Sequence, residues 1–299
     1  MKIRFNKLSI GQKKALWAYI FLFVPLIFYI AIRIYPTFSS FYISFTDWDI
    51  VSSEKHFIGL ENYQRMIKDP VFLKTLGNTF KYVIFGMPIN LVLSFIIAYN
   101  LNKIRRGLGL YRILYFIPYM TSLIAVSWVW RWLYQPLPLG FFNNVLSFFG
   151  LAQQPFLEST SQALPSILAP TIWVEIGFQV IIFLAGLKGI PELLYEAADI
   201  DGADNRQKLF KITIPLLRPT IIFLVVMGTI KYLRIFTQVY SMTFQGEGGP
   251  LNSTKPLVLY IYNTAFRRFD MGYASAMTVV LFVLILCITL FQLKVLETK

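Results

Sequence analysis

The chain has 299 residues, of which 56% are hydrophobic and 14% are charged, and its mean hydropathy is +0.59. This composition excludes a soluble globular domain and is typical of a protein embedded in a lipid bilayer. The formal net charge of +13 could suit a nucleic-acid binder, but the basic residues are dispersed over loops and match anionic lipid headgroups better. We therefore expect a membrane protein that does not bind nucleic acid.

Six apolar segments are long enough to cross the hydrocarbon layer, which is roughly 30 Å thick and needs helices of about 20 residues. They are residues 15–34, 79–101, 113–132, 166–187, 216–239 and 274–293. The first is too long for the core of a signal peptide and lacks a small-residue cleavage site, so it should remain as an anchor. The sequence thus predicts an all-α integral membrane protein in which residues 1–299 form one domain.

Six spans place both termini on the same side of the membrane. The loops on that side contain sixteen Lys and Arg residues, against seven in the opposite loops. Because cytoplasmic loops carry the excess of positive charge, both termini should be cytoplasmic. The single cysteine, Cys287, allows no intrachain disulfide, and with one histidine, His56, we expect no metal site.

A polar loop, residues 190–219, separates the fourth and fifth spans. Pro191 suits the first position of a short helix, and Gly202 can adopt the positive φ that ends it. Asp204 can then cap a second helix that runs to about Ile214. The loop therefore predicts two short helices joined at a glycine.

The first of these helices should carry two different faces. Leu193, Ala197 and Ile200 recur at helical spacing and would form an apolar ridge. An acidic stripe beside it comprises Glu192, Glu196 and Asp199. Such a surface suits either docking to a soluble partner or contact with the membrane surface.

The loop resembles the cytoplasmic loop of membrane subunits of ATP-binding-cassette importers. The matching residues are Glu196, Ala197, Ala198, Asp201, Gly202, Ala203, Phe210, Ile212, Pro215 and Pro219. Patterns along nearly the whole chain resemble the carbohydrate-uptake branch of that family, which includes maltose and multiple-sugar permeases. These patterns are FIGLENY at 57–63, YRILYFIPY at 111–119, GEGGP at 246–250, YIYNTAF at 260–266 and GYASAM at 272–277.

The resemblance implies the six-helix fold of a type I importer permease in a prokaryotic cell membrane. It implies three kinds of partner, namely a second homologous permease, a dimer of ATPases and an extracytoplasmic solute-binding protein. ATP and Mg would be bound by the ATPases, since this chain has no GxxxxGK[ST] phosphate loop, and we expect no cofactor and no enzyme activity here. The residues expected to couple to the ATPase are Glu196, Ala197, Ala198, Asp201, Gly202 and Ala203, with Glu196 meeting a basic residue.

Two ionisable residues lie inside the predicted spans, where charge is costly unless it faces water or a partner. Glu175 and Lys231 each lie about 12 residues, or roughly 18 Å, from the inner boundary, so they should be level with each other near the bilayer midplane. We expect them to face the same wet cavity or to pair, and a salt bridge that only fixes helix packing is equally compatible. Residues at positions similar to those of the family's sugar site, together with the two charges and the neighbouring amide of Gln179, give seven pathway candidates: Thr171, Glu175, Phe178, Gln179, Gly228, Lys231 and Tyr232.

The substrate class stays open at this point. A sugar or oligosaccharide is the main hypothesis, but Lys231 and Arg234 would also suit an acidic or phosphorylated solute such as glycerol phosphate. An ion-coupled secondary carrier that uses Glu175 and Lys231 is a further alternative. A membrane enzyme is disfavoured, because the sequence has no cluster of nucleophile, metal ligands or paired carboxylates.

Overall fold

The computed structural model describes residues 9–51, 54–104 and 106–297. Five basic residues used to predict the orientation, Lys2, Arg4, Lys7, Arg105 and Lys299, lie outside these ranges. The helices are α1 (Ile10–Ile43), α2 (Glu61–Lys68), α3 (Pro70–Asn102), α4 (Leu108–Met120), α5 (Leu123–Leu133), α6 (Phe141–Phe148), α7 (Ala163–Lys188), α8 (Glu192–Ile200), α9 (Asn205–Leu216), α10 (Arg218–Leu233), α11 (Thr237–Met242), α12 (Leu257–Phe266) and α13 (Met271–Glu297). In the described ranges the only β-structure is two isolated bridges, so the all-α class is confirmed.

The chain divides into two compact units. The first comprises the described residues of Met1–Arg65 together with Thr264–Val280, and the second those of Met66–Asn263 together with Leu281–Lys299. The polar loop, residues 190–219, and the seven pathway candidates all belong to the second unit. Its hydrophobic core is built mainly from α3, α7 and α10.

In the first unit, two of the sequence patterns meet. The buried side chain of Asn62 donates hydrogen bonds of 3.0 and 2.9 Å to the carbonyls of Ser44 and Thr46, just beyond α1. Arg65 contacts the Asp270 carboxylate at 2.7 Å and lies over the ring of Tyr273 at 4.2 Å. Asn62 of FIGLENY and Tyr273 of GYASAM therefore both take part in contacts within this unit.

Within the described ranges, four helices, α1, α3, α7 and α13, are long and apolar enough to cross a membrane. They contain the predicted segments 15–34, 79–101, 166–187 and 274–293 and extend beyond each of them. Two of them continue through π-helical turns, Ile30–Ile34 and Tyr82–Gly86. The prediction underestimated their lengths because a helix can continue beyond its apolar stretch.

The third predicted span, 113–132, is not one straight helix. The chain bends by 92° between α4 and α5. Thr121 is extended, with φ −78° and ψ 148°, three residues after Pro118 in the last turn of α4. Proline weakens the helical hydrogen-bond ladder locally, and hydropathy does not register this effect. The prediction of a continuous span was therefore wrong at this bend.

The fifth predicted span, 216–239, differs at both ends. A 65° bend separates α9 from α10, where Pro219 cannot donate to the preceding turn. At the other end α10 stops at Leu233, and Phe236 has a non-helical φ of −145° before α11 begins. If each bent pair is counted as one span, the part of the chain that the structure describes has up to six candidate spans, which is the predicted number.

The helix α7 lies at the centre of the second unit. In its most apolar window 61% of residues are buried, whereas the values for α3 and α13 are 28% and 11%. Gly177 permits this packing, since a Cβ there would lie 2.2 Å from the backbone oxygen of Tyr115 in α4. Residues on α7 are therefore held in fixed positions by their neighbours.

Candidate functional site

The polar loop forms the two predicted short helices, α8 and α9, which are joined at Gly202. We call this pair of helices and its joint the elbow. Gly202 has φ +75°, its N–H donates to the Asp199 carbonyl at 3.1 Å, and the Ala203 N–H donates to the Ala198 carbonyl at 2.8 Å. These two bonds make up a Schellman motif, which ends a helix at a left-handed residue. The prediction that α8 ends at a left-handed Gly202 is confirmed. Pro191, however, is the N-cap residue of α8 and not its first helical residue.

The second helix of the elbow is also fixed at its start. Asp204 and Gln207 form a reciprocal capping box, with hydrogen bonds of 2.6 and 2.9 Å. A salt bridge joins Lys208 to Asp199 across the glycine, and the hydroxyls of Tyr195 and Thr213 lie 2.9 Å apart. The two helices are therefore tied together and can move as one piece.

The predicted ridge on α8 is exposed. Leu193 and Ile200 are 71% and 88% exposed, and Ala197 is exposed between them. Glu196 is exposed and forms no ion pair with the part of the chain that the structure describes, whereas Ala198 is buried. This ridge, which comprises Leu193, Ala197 and Ile200, together with Glu196 has the character of a docking surface.

Glu175 on α7 and Lys231 on α10 form a salt bridge. The side chain of Glu175 is only 6% exposed, whereas that of Lys231 is 46% exposed. Lys231 also lies 5.2 Å from the ring centroid of Tyr119. The expected proximity of the two charges is confirmed; their depth in the bilayer stays a prediction.

Two cavities adjoin this salt bridge. The larger has a volume of about 360 Å³, and its lining includes Tyr119, Glu175, Phe178, Gln179, Met227, Gly228, Lys231 and Arg234. The smaller, of about 120 Å³, is lined in part by Leu123, Thr171, Glu175, Lys231, Tyr232 and Arg234. Each of the seven sequence candidates therefore lines at least one of the two cavities, and both residues of the salt bridge line both cavities. We call these the solute cavities.

The polar candidates differ in whether their side-chain atoms are already hydrogen-bonded within the protein. The Thr171 hydroxyl donates to the Ile167 carbonyl at 2.8 Å, and the Tyr232 hydroxyl accepts from Asn90 at 3.2 Å. Both side chains are buried and engaged within the protein. By contrast, the Gln179 side-chain oxygen is buried and accepts no hydrogen bond from any described residue. Gln179 is therefore the better candidate to accept a bond from a bound molecule.

Sequence reasoning missed Tyr119, whose ring stacks on that of Phe178 with centroids 5.3 Å apart. Tyr119 lies on α4, and the chain bends by 92° between α4 and α5. Arg234 was noted for its charge but not included among the site residues, although it lines both cavities. Its spacing of three residues from Lys231, which places the two side chains on neighbouring positions of a helix, is the signal that could have found it.

Comparisons with known proteins agree with this architecture. Residues 72–297 match the model of a family described as "Binding-protein-dependent transport system inner membrane component". "Probable ABC transporter permease protein YesP" of Bacillus subtilis (strain 168) is 37% identical over 286 residues, which cover 95% of this chain and 91% of YesP. "Multiple sugar-binding transport system permease protein MsmF" of Streptococcus mutans is 32% identical over 284 residues, covering 93% and 94%.

A solved structure shares the fold. One chain of a bacterial ABC transporter involved in the import of the acidic polysaccharide alginate matches with a TM-score of 0.83 at 23% identity, covering 96% of this chain and 98% of that one. This likeness and the candidate membrane spans support the type I importer fold expected from the sequence. The resemblance to importer permeases is confirmed, and the chain belongs to the family of binding-protein-dependent transport system inner membrane components.

Proposed function

We propose that this chain is one of two permease subunits of an ATP-driven importer and that it translocates a sugar or oligosaccharide delivered by an extracytoplasmic solute-binding protein. The chain itself performs no chemistry. ATP and Mg are bound by a dimer of partner ATPases that docks on α8. The six coupling residues are Glu196, Ala197, Ala198, Asp201, Gly202 and Ala203.

One observation carries this proposal, namely the position of the elbow in the chain. The elbow directly connects α7 and α10, and these helices supply most of the lining of the larger solute cavity. Because α8 and α9 are tied together by Lys208 and Asp199, a displacement of α8 moves the inner ends of both helices. ATP-driven closure of the ATPase dimer can thus shift the cavity between inward-open and outward-open states.

The solute cavities have suitable chemistry for a saccharide. Stacked aromatic rings, here Tyr119 and Phe178, offer apolar faces that pack against a pyranose ring. The unengaged oxygen of Gln179 accepts from a sugar hydroxyl. MsmF, whose name refers to a multiple sugar-binding transport system, is a relative that supports this substrate class.

The remaining assignments follow from the same scheme. The chain lies in the cell membrane of a prokaryote with both termini cytoplasmic, as the excess of basic residues in the inner loops favours. Residues 1–299 act as one permease domain. The second, homologous permease provides the opposite wall of the translocation pathway, since Lys231, which lines the larger solute cavity, is half exposed in this chain.

Copurification tests the proposed function. A second permease and an ATPase are expected to purify with this chain, and ATP turnover by the assembled importer should rise when the loaded binding protein is added. The control is the same binding protein without solute. Solute uptake that continues without the ATPase would instead support an ion-coupled carrier.

Gly202 offers a second test, because its φ of +75° is unfavourable for residues with a Cβ, although a Cβ would meet no atom within 4 Å. Gly202→Val should cost about 1–2 kcal/mol in backbone strain and shift α8 relative to α9, which we expect to lower ATP-driven uptake about tenfold. Gly202→Asn is the matched control, since asparagine tolerates the left-handed region. Equal uptake by the two variants would contradict a role for the elbow geometry.

A further inference from the structure

The electrostatic balance of the solute cavities is asymmetric. Both cavities are lined by the same three charged residues, Glu175, Lys231 and Arg234. Among the described residues, no other acidic side chain lines either cavity. Two cations and one carboxylate leave one positive charge in excess at the place where a solute would bind.

The excess charge belongs to Arg234. The Glu175 carboxylate is already paired with Lys231. Arg234 follows the last residue of α10, its side chain is exposed, and it forms no salt bridge within the described ranges. The negative end of the helix dipole offsets only part of such a charge. A charged arginine side chain beside apolar helices is unfavourable in free energy unless it faces water or an anion.

The position of Arg234 at the end of α10 directs it to the same place as Lys231. Arg234 follows Lys231 by three residues, and side chains at this spacing are neighbours on one face of a helix. Helical geometry ends at Leu233, and Phe236 has a φ of −145°. Arg234 lines both the larger and the smaller cavity, and Gln179 also lines the larger one.

We infer that Arg234 binds an anionic group on the solute and that this permease carries an acidic saccharide, of which a uronic-acid oligosaccharide is the simplest kind. The inference rests on the proposed function and names the substrate class of the same site. The planar guanidinium of arginine can donate two parallel hydrogen bonds to one carboxylate. Gln179 and the stacked rings of Tyr119 and Phe178 serve the neutral part of the sugar.

Direct binding to the purified importer, without its binding protein, tests this inference. The probes are digalacturonate and galactobiose, which have the same length and differ in charge. The wild-type importer should bind digalacturonate at least about tenfold more tightly, and Arg234→Gln should remove most of that preference while leaving galactobiose binding unchanged. Arg234→Lys should keep part of the preference, and added salt should weaken it.

Arg112→Gln, the same substitution on α4 outside the cavity linings, is the matched control and should keep the preference. Equal affinity of the wild-type importer for the two probes, or an equal loss of both in Arg234→Gln, would overturn the inference. So would dissociation of the two permeases in Arg234→Gln, because Arg234 would then pair with the second subunit. If neither probe binds, the inference fails, while stimulation of ATP turnover by loaded binding protein still decides the proposed function.

Discussion

Glu196→Lys is expected to abolish stimulation of ATP turnover by the binding protein while leaving the chain folded. Glu196 is exposed on α8 beside the apolar ridge, and its loss breaks no ion pair in the described chain. If it meets a basic residue of the ATPase, charge reversal places two cations in contact. At a docked interface such a change costs about 2–5 kcal/mol, which corresponds to a loss of affinity of roughly 30-fold or more.

The measurement is the amount of ATPase that copurifies with the variant, together with its stimulated ATP turnover. Glu158→Lys makes the same charge change at an exposed glutamate between α6 and α7, away from the elbow, and should behave as the wild type. Unchanged copurification and unchanged uptake in Glu196→Lys would contradict the docking role of α8. Loss of the folded chain from the membrane would point to a structural role instead.

Lys231→Met is expected to destabilise the chain by about 3 kcal/mol, because it leaves the buried Glu175 carboxylate without its partner. The size of the loss is limited by the exposure of Lys231, which keeps part of the salt bridge in contact with solvent. Adding Glu175→Gln should recover most of the stability, since replacing both members of a buried pair is often nearly neutral. Thermal unfolding of Lys231→Met, Glu175→Gln and the double variant in detergent measures this coupling.

Uptake by the double variant then separates two roles of the pair. A salt bridge that only fixes α7 against α10 predicts that uptake recovers along with stability. A pair that lines the solute pathway predicts that uptake stays low although the protein is stable again. Recovery of both quantities would remove Glu175 and Lys231 from the solute pathway, whereas full stability of Lys231→Met alone would argue against the salt bridge itself.

The elbow was predictable because its signals are local. A left-handed turn needs glycine, a helix start needs a capping side chain, and both occur in the sequence at Gly202 and Asp204. The proximity of Glu175 and Lys231 also followed from local geometry, because the rise per residue of a helix is fixed. Counting residues from the inner boundary of the two predicted spans therefore sufficed to bring the two charges together.

The bends and the cavities were not predictable in the same way. Hydropathy measures composition along the chain, so it joined α4 to α5 and extended α10 past Arg234. It also could not show that the Tyr232 hydroxyl faces Asn90, or that Tyr119 stacks on Phe178. These contacts join helices that are distant in sequence, and their relative rotation is decided by packing.

The sequence by itself thus determined the membrane class, the family and the elbow between α8 and α9, because each depends on composition or on short-range backbone geometry. Only the tertiary structure decided which side chains line the solute cavities and which are engaged within the protein. The physical reason is that a cavity is what remains after helices have packed. Its lining therefore depends on interhelical contacts, such as the close approach of Gly177 to Tyr115, that no single segment encodes.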